Sequence, residues 1–121
     1  MHMSRDRFED LVADALDSIP PDLAVHMDNV AVVVEDWPTR EQLGGRAGTL
    51  FGLYEGVQLT DRSPLSYAGV MPDRVTVFRG PLCEQSADEA ELAHQIRVTV
   101  VHEIAHHFGI DDARLRELGW A

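Results

Sequence analysis

The sequence predicts an α+β domain, and three observations carry that prediction. Apolar residues near the N-terminus recur at helical spacing. Short valine-rich and glycine-punctuated runs in the middle have strand character. A long apolar helix follows near the C-terminus. The chain has 121 residues, 45% of them hydrophobic, which suits a single domain, 1–121, with a real core. The expected architecture is an N-terminal helix, a small mixed sheet of about three strands, a long helix and a short C-terminal helix.

Each element has its own signal. Phe8, Leu11, Val12, Ala15, Leu16 and Ile19 share a helical face, Ser4 is a suitable cap, and Pro20-Pro21 stops the helix. Val30–Val34 is a continuous apolar run, which predicts a buried strand that Trp37-Pro38 ends. Residues 38–49 are polar and glycine-bearing and read as a loop. Leu50–Leu59 is strand-like, with Gly52 and Gly56 bending or weakening it, and Asp61-Arg62-Ser63-Pro64 turns the chain. Arg74–Arg79 reads as a strand with Val75 and Val77 on one face. Ser86-Ala87-Asp88-Glu89 has capping-box spacing and opens a helix expected to run to about Phe108. From Val98 to Val101 that helix is apolar nearly all round, so it should be buried. A final short helix is expected from about Asp112 to Leu118.

The long helix ends in the most informative segment, His102-Glu103-Ile104-Ala105-His106-His107-Phe108-Gly109-Ile110-Asp111-Asp112, which contains H-E-x-x-H. His102 and His106 are four residues apart, so both imidazoles project from one side of the helix and can grip one ion. Glu103 can take a proton from water that a metal ion has acidified. A catalytic zinc has three protein ligands and an open position, so a third ligand is required. Gly109 tolerates the left-handed backbone that ends a helix and reverses the chain, and Ile110 would cover the helix end. Asp112 then lies where it can return to the metal. Asp111 is the neighbouring alternative, and Glu117 a third if the following helix carries the ligand. One zinc ion is the expected cofactor, with other divalent metals as alternatives.

These residues resemble the small zincin-like metallopeptidase family of bacteria, often described as minimal metalloproteases. The resemblance extends through Leu50–Val57 with Asp61-Arg62-Ser63, through Pro72–Leu82, and through Arg97–Gly119, covering most of the chain from about residue 29 onward. It implies a minimal zincin-like fold and hydrolysis of peptide bonds. The Asp-terminated motif is also similar to that of some metzincins. Those carry a methionine turn well after the third ligand, whereas nine residues follow Asp112 here and Met71 lies upstream as a possible apolar floor. Larger zincins add a subdomain that closes the cleft, for which the chain has no room. In such folds an edge strand binds an extended peptide, and Leu50–Leu59 is the candidate edge.

Other side chains take lesser roles. Tyr54, Tyr67 and Arg79 are possible oxyanion helpers. His107 follows a ligand but points about 100° away around the helix, which suits a supporting or surface position. His26 and His94 read as structural or solvent-facing. Cys83 rules out an intrachain disulfide and reads as a small apolar filler beside Leu82. The net charge of −11 argues against nucleic acid and anionic membrane as partners, and the resemblance implies a peptide or protein substrate. No segment has the length to span a bilayer and no basic-then-apolar leader opens the chain, so the cytoplasm is expected. Met1-His2-Met3 looks partly like a cloning remnant, and His2 should carry no function. Oligomeric state is open.

Two rival readings stand beside the peptidase. One is a metal-binding interaction domain with little or no hydrolytic activity, favoured by the absence of a second subdomain to grip substrate. The other is a metal-independent domain in which the motif is coincidental. Glu103 separates the first from the peptidase, since a purely structural zinc site has four protein ligands and no use for a general base.

Overall fold

Ser4 opens the first helix: its hydroxyl accepts a hydrogen bond from the Arg7 N–H at 3.3 Å. The computed structural model describes residues 1–45, 48–56 and 73–119. Helix α1 (Arg5–Asp17) buries Phe8, Leu11, Val12 and Ala15, the face read from the sequence. It stops three residues before Pro20, and the Ser18 N–H and hydroxyl both return to the Ala15 carbonyl. Pro21 starts a one-turn helix, α2 (Pro21–Ala24), at the position where its missing N–H costs nothing. A 3₁₀ turn, Val25–Met27, leads into the sheet.

The sheet has three strands: β1 (Val30–Glu35), β2 (Gly52–Glu55) and β3 (Asp73–Phe78), in the order β1-β3-β2. The central β3 runs parallel to β1 and antiparallel to β2, so the sheet is mixed, as expected. Val75, Thr76, Val77 and Phe78 are all buried. The valine run of β1 is a correction. Among the described residues it pairs with β3 alone, and only Val34 is buried. Val30 and Val32 are half-buried against the core while the alternate residues point away. An apolar run marks a strand, but it does not say on how many sides neighbours cover it. Strand β2 is shorter than the expected Leu50–Leu59. Its pairing is extended by one bond, Phe78 N–H to the Phe51 carbonyl at 2.9 Å. Residues 57–59 and the Asp61–Pro64 turn lie outside the described residues.

Besides α2 and its 3₁₀ turn, two more helical segments stand where none was expected. Within residues 38–49, α3 (Arg40–Leu43) is one turn held by a full capping box: Thr39 accepts from the Gln42 N–H, and the Gln42 side chain accepts from the Thr39 N–H. After β3, which ends one residue before the expected Arg79, the chain turns directly into α4 (Arg79–Gln85). Pro81 sits in its first turn, where no N–H is needed, and Leu82 and Cys83 are buried.

The long helix is α5 (Glu89–His107). Its cap is Asp88, which accepts from the Glu91 N–H at 2.8 Å, while the Glu91 carboxylate accepts from the Ala87 N–H at 3.3 Å. The expected Ser86 box is therefore displaced by two residues. Ser86 closes α4 and is buried. Leu92, Ile96, Thr99, Val100, Val101, Ile104 and Ala105 are buried along α5 as it packs against α1, α4, β2 and β3. Each large side chain buried in this way contributes about 1.5–3 kcal/mol. Helix α6 (Asp112–Leu118) follows within the expected bounds and anchors itself through the fully buried Leu115. Among the described residues, no helix is long and apolar enough to cross a membrane.

Candidate metal centre

The buried side of α5 leaves the opposite side of its C-terminal turns free to carry polar groups. His102 and Glu103 are half-buried there, and His106 is exposed. The two imidazoles are one turn apart, with ring centroids separated by 5.6 Å. Helix α5 then ends in the turn that Gly109 permits. Gly109 has φ +78°, its N–H bonds the His106 carbonyl at 3.1 Å, and the Ile110 N–H bonds the Ala105 carbonyl at 2.9 Å. This is the Schellman arrangement, and Ile110 packs on the core as its apolar partner.

The turn separates the two adjacent aspartates by task. Asp111 caps α6, accepting from the Arg114 N–H at 2.8 Å. Asp112 points back to α5, its Oδ1 lying 3.0 Å from His106 Nε2 and 3.9 Å from His102 Nδ1. Glu117 pairs with Arg114 at the surface. The structure therefore gathers His102, His106 and Asp112, with one donor atom from each within 4.8 Å of the others. The hydrogen bond from His106, opposed by a slight loss of hydration and aided by the charges of His102, His106 and Arg116, holds the Asp112 carboxyl below its usual range.

Strand β2 forms the other wall. Leu50, Leu53, Tyr54, Glu103, His106 and His107 line an open groove of about 450 Å³. Gly52 lets the strand sit this close to α5. A Cβ there would lie 2.5 Å from Thr99 Cγ2 and 3.2 Å from the Thr76 carbonyl oxygen. Tyr54 faces α5 as well. Its ring stacks on His107, with centroids 3.8 Å apart and planes 13° from parallel, and its hydroxyl donates to Asp73 Oδ2 at 2.7 Å. Burial, then the hydrogen bond and charge of Asp73, push the phenol well above its ordinary range. His107 is thus a wall residue, and its other edge meets Phe108, which in turn packs on His26.

A helix with two histidines one turn apart, a glycine turn and a returning aspartate agrees with what a wider comparison finds. A family model for zincin-like metallopeptidases matches residues 27–120. The chain belongs to the zincin-like metallopeptidase family. Among solved structures, this zincin-like domain is similar to a conserved hypothetical protein from Thermo thermophilus, at 20% identity and a TM-score of 0.57. That match covers 88% of this chain and 94% of the other, and at such identity it speaks for the fold alone. No curated protein matches.

The donor set suits the ion that the family implies. Two imidazoles and one carboxylate are a nitrogen and oxygen set that zinc accepts. Ligands 2.0–2.2 Å from a tetrahedral ion lie about 3.4 Å from one another, and the observed 3.0 and 3.9 Å separations bracket that value. Other predicted residues go elsewhere. Arg79 pairs with Asp36 and donates to the Met3 carbonyl, so it does not line the groove. His94 is exposed beside α1. Cys83 is buried in the core, and that burial raises its thiol pKa. Tyr67 and Met71 lie outside the described residues. Sequence reasoning missed Asp73, whose link to Tyr54 spans 19 residues and has no local signal.

Proposed function

We propose that this domain is a zinc-dependent peptidase in which His102, His106 and Asp112 hold one ion and Glu103 is the general base. The observation that carries the reading is the convergence of those three donors, with His106 and Glu103 also lining the groove beside β2. A bound zinc ion supplies Lewis acidity, which polarises a carbonyl and lets water give up a proton near neutral pH. Glu103 accepts that proton and returns it to the departing amine. Leu50, Leu53 and Tyr54 present an apolar wall to an extended peptide, which would lie along β2 as an added strand. The hydroxyl of Tyr54 is committed to Asp73, so its part is in the wall rather than as a free donor to the carbonyl.

Glu103→Gln keeps size and polarity while removing the base. It is expected to retain zinc and to lower hydrolysis of an unstructured protein such as casein by about 10²–10⁴-fold. His102→Ala is expected to lose the ion. Equal hydrolysis by the Glu103 variant and the parent would reject the mechanism. Zinc binding without hydrolysis by either protein would favour a metal-binding interaction domain instead.

A further inference from the structure

The last turn of α5 has little beneath it. Ile104 and Ala105 are buried, but His106, His107, Phe108 and Gly109 are all exposed. A helix end so placed frays unless something holds it from the side. Beside the packing of Phe108 on His26, two contacts meet that need. The Schellman turn closes the end along its axis. Tyr54 reaches across from β2 and covers the face of His107.

The Tyr54 ring is itself fixed. Its hydroxyl is bound to Asp73 on the central strand, and Tyr54 stands opposite Val75 on the face that packs on α5. The order of support therefore runs from the sheet through Asp73 and Tyr54 to His107, one residue from His106. A stacked, nearly parallel pair restrains sliding and rotation more narrowly than an aliphatic contact, because offset stacking is a directional preference of aromatic rings.

We infer that Tyr54 is a positioning residue: stacked on His107 and tied to Asp73, it fixes the turn of α5 that carries His106 into the metal centre. This rests on the reading of His102, His106 and Asp112 as ligands. Groups that orient ligands without touching the ion commonly change its affinity by about 10–100-fold when removed. Tyr54→Leu loses both ring and hydroxyl and is expected near the upper end, about 100-fold weaker for Zn²⁺. Tyr54→Phe keeps the stack and loses only the Asp73 bond, so it is expected near the lower end, about 10-fold.

The test measures Zn²⁺ affinity of the full chain by chelator competition and records the visible absorption of the Co²⁺-loaded protein. Circular dichroism establishes that each variant is folded. A residue that only stabilised the fold would leave the cobalt bands of folded protein unchanged, whereas displaced His106 shifts them. Graded losses of affinity with altered cobalt bands support the inference. Wild-type affinity and superimposable cobalt spectra in both variants overturn it. If Tyr54→Leu does not fold, Tyr54→Phe decides alone: wild-type affinity and spectrum overturn the inference, and a loss of about 10-fold with shifted bands supports it. Failure of the parent protein to bind Zn²⁺ is a different result, and it removes the metal reading together with this one.

Discussion

The two halves of α5 belong to one helix but are built for different ends. From Glu89 to Val101 the helix opens on an Asp88 cap, and Leu92, Ile96, Val100 and Val101 are at most 1% exposed. From His102 to His107 only Ile104 and Ala105 are buried, while four polar side chains face the groove side or solvent. The first half has packing and no chemistry, and the second has chemistry and little packing. A rigid rod set in the core carries His102 and His106 outward on its less buried end. Tyr54 of β2 meets that end from the side, and the Gly109 turn closes it along the axis. On this view, damage to the first half should cost stability without changing the site in molecules that remain folded.

Ile96→Ala tests that separation with the largest expected effect. Ile96 is fully buried, so truncation leaves a cavity and should lower unfolding free energy by about 2–5 kcal/mol. That is a large share of the about 5–15 kcal/mol available to a domain of this kind. Ile96→Val supplies a graded version at about 0.5–1.5 kcal/mol. Urea unfolding gives the stability, and chelator competition well below the transition gives zinc affinity per folded molecule. The affinity is expected to stay at the parent value. A parallel loss of both quantities would show that the halves are coupled.

Gly52→Ala strikes the boundary between them. The added methyl would meet Thr99 Cγ2 and the Thr76 carbonyl, with Glu103 Cγ only 3.6 Å away. Overpacking of this kind costs about 1–3 kcal/mol. Thr99→Ser removes the nearer methyl, so it should restore part of the stability in the double variant. Urea unfolding of the single and double variants measures this. Strict additivity would mean that the strand does not rest on α5 through this contact.

What the sequence made legible was what local patterns encode. Ser4, the apolar face of α1, the Gly109 turn, the span of α6 and the approach of His102, His106 and Asp112 all depend on residues within a turn or two of one another. The capping box of α3 went unread, because a single turn has no apolar stripe to announce a helix. Helix α4 was hidden by Gly80-Pro81, which usually punctuates chain, although proline is harmless in a first turn. The long helix opens at Asp88 and not at the expected Ser86, which is already enclosed at the end of α4. The place of β1 beside β3 and the Asp73–Tyr54–His107 contacts come from long-range packing, and no spacing rule reaches them. Choosing between Asp111 and Asp112 likewise required the turn geometry.

That choice yields the subtlest prediction. The two carboxylates are neighbours in sequence, yet one closes α6 and the other faces the histidines. Asp111→Ala should lose about 1 kcal/mol of stability through the missing cap and keep zinc. Asp112→Asn should lose zinc with little change in stability at neutral pH. Acid sharpens the contrast in metal-free protein. The hydrogen bond from His106 is the main cause that lowers the folded pKa of Asp112. A depressed carboxylate pKa contributes stability that is present above the ordinary value of about 4 and lost as pH falls through the lower folded value. The Tm of metal-free parent protein should therefore fall more steeply below about pH 4 than that of Asp112→Asn. The difference should be small, because Asp112 is exposed and solvent screens it. Parallel acid profiles would remove the native-state role of the Asp112 charge. Loss of zinc from Asp111→Ala with retention by Asp112→Asn would exchange the two aspartates and place the third ligand one residue earlier.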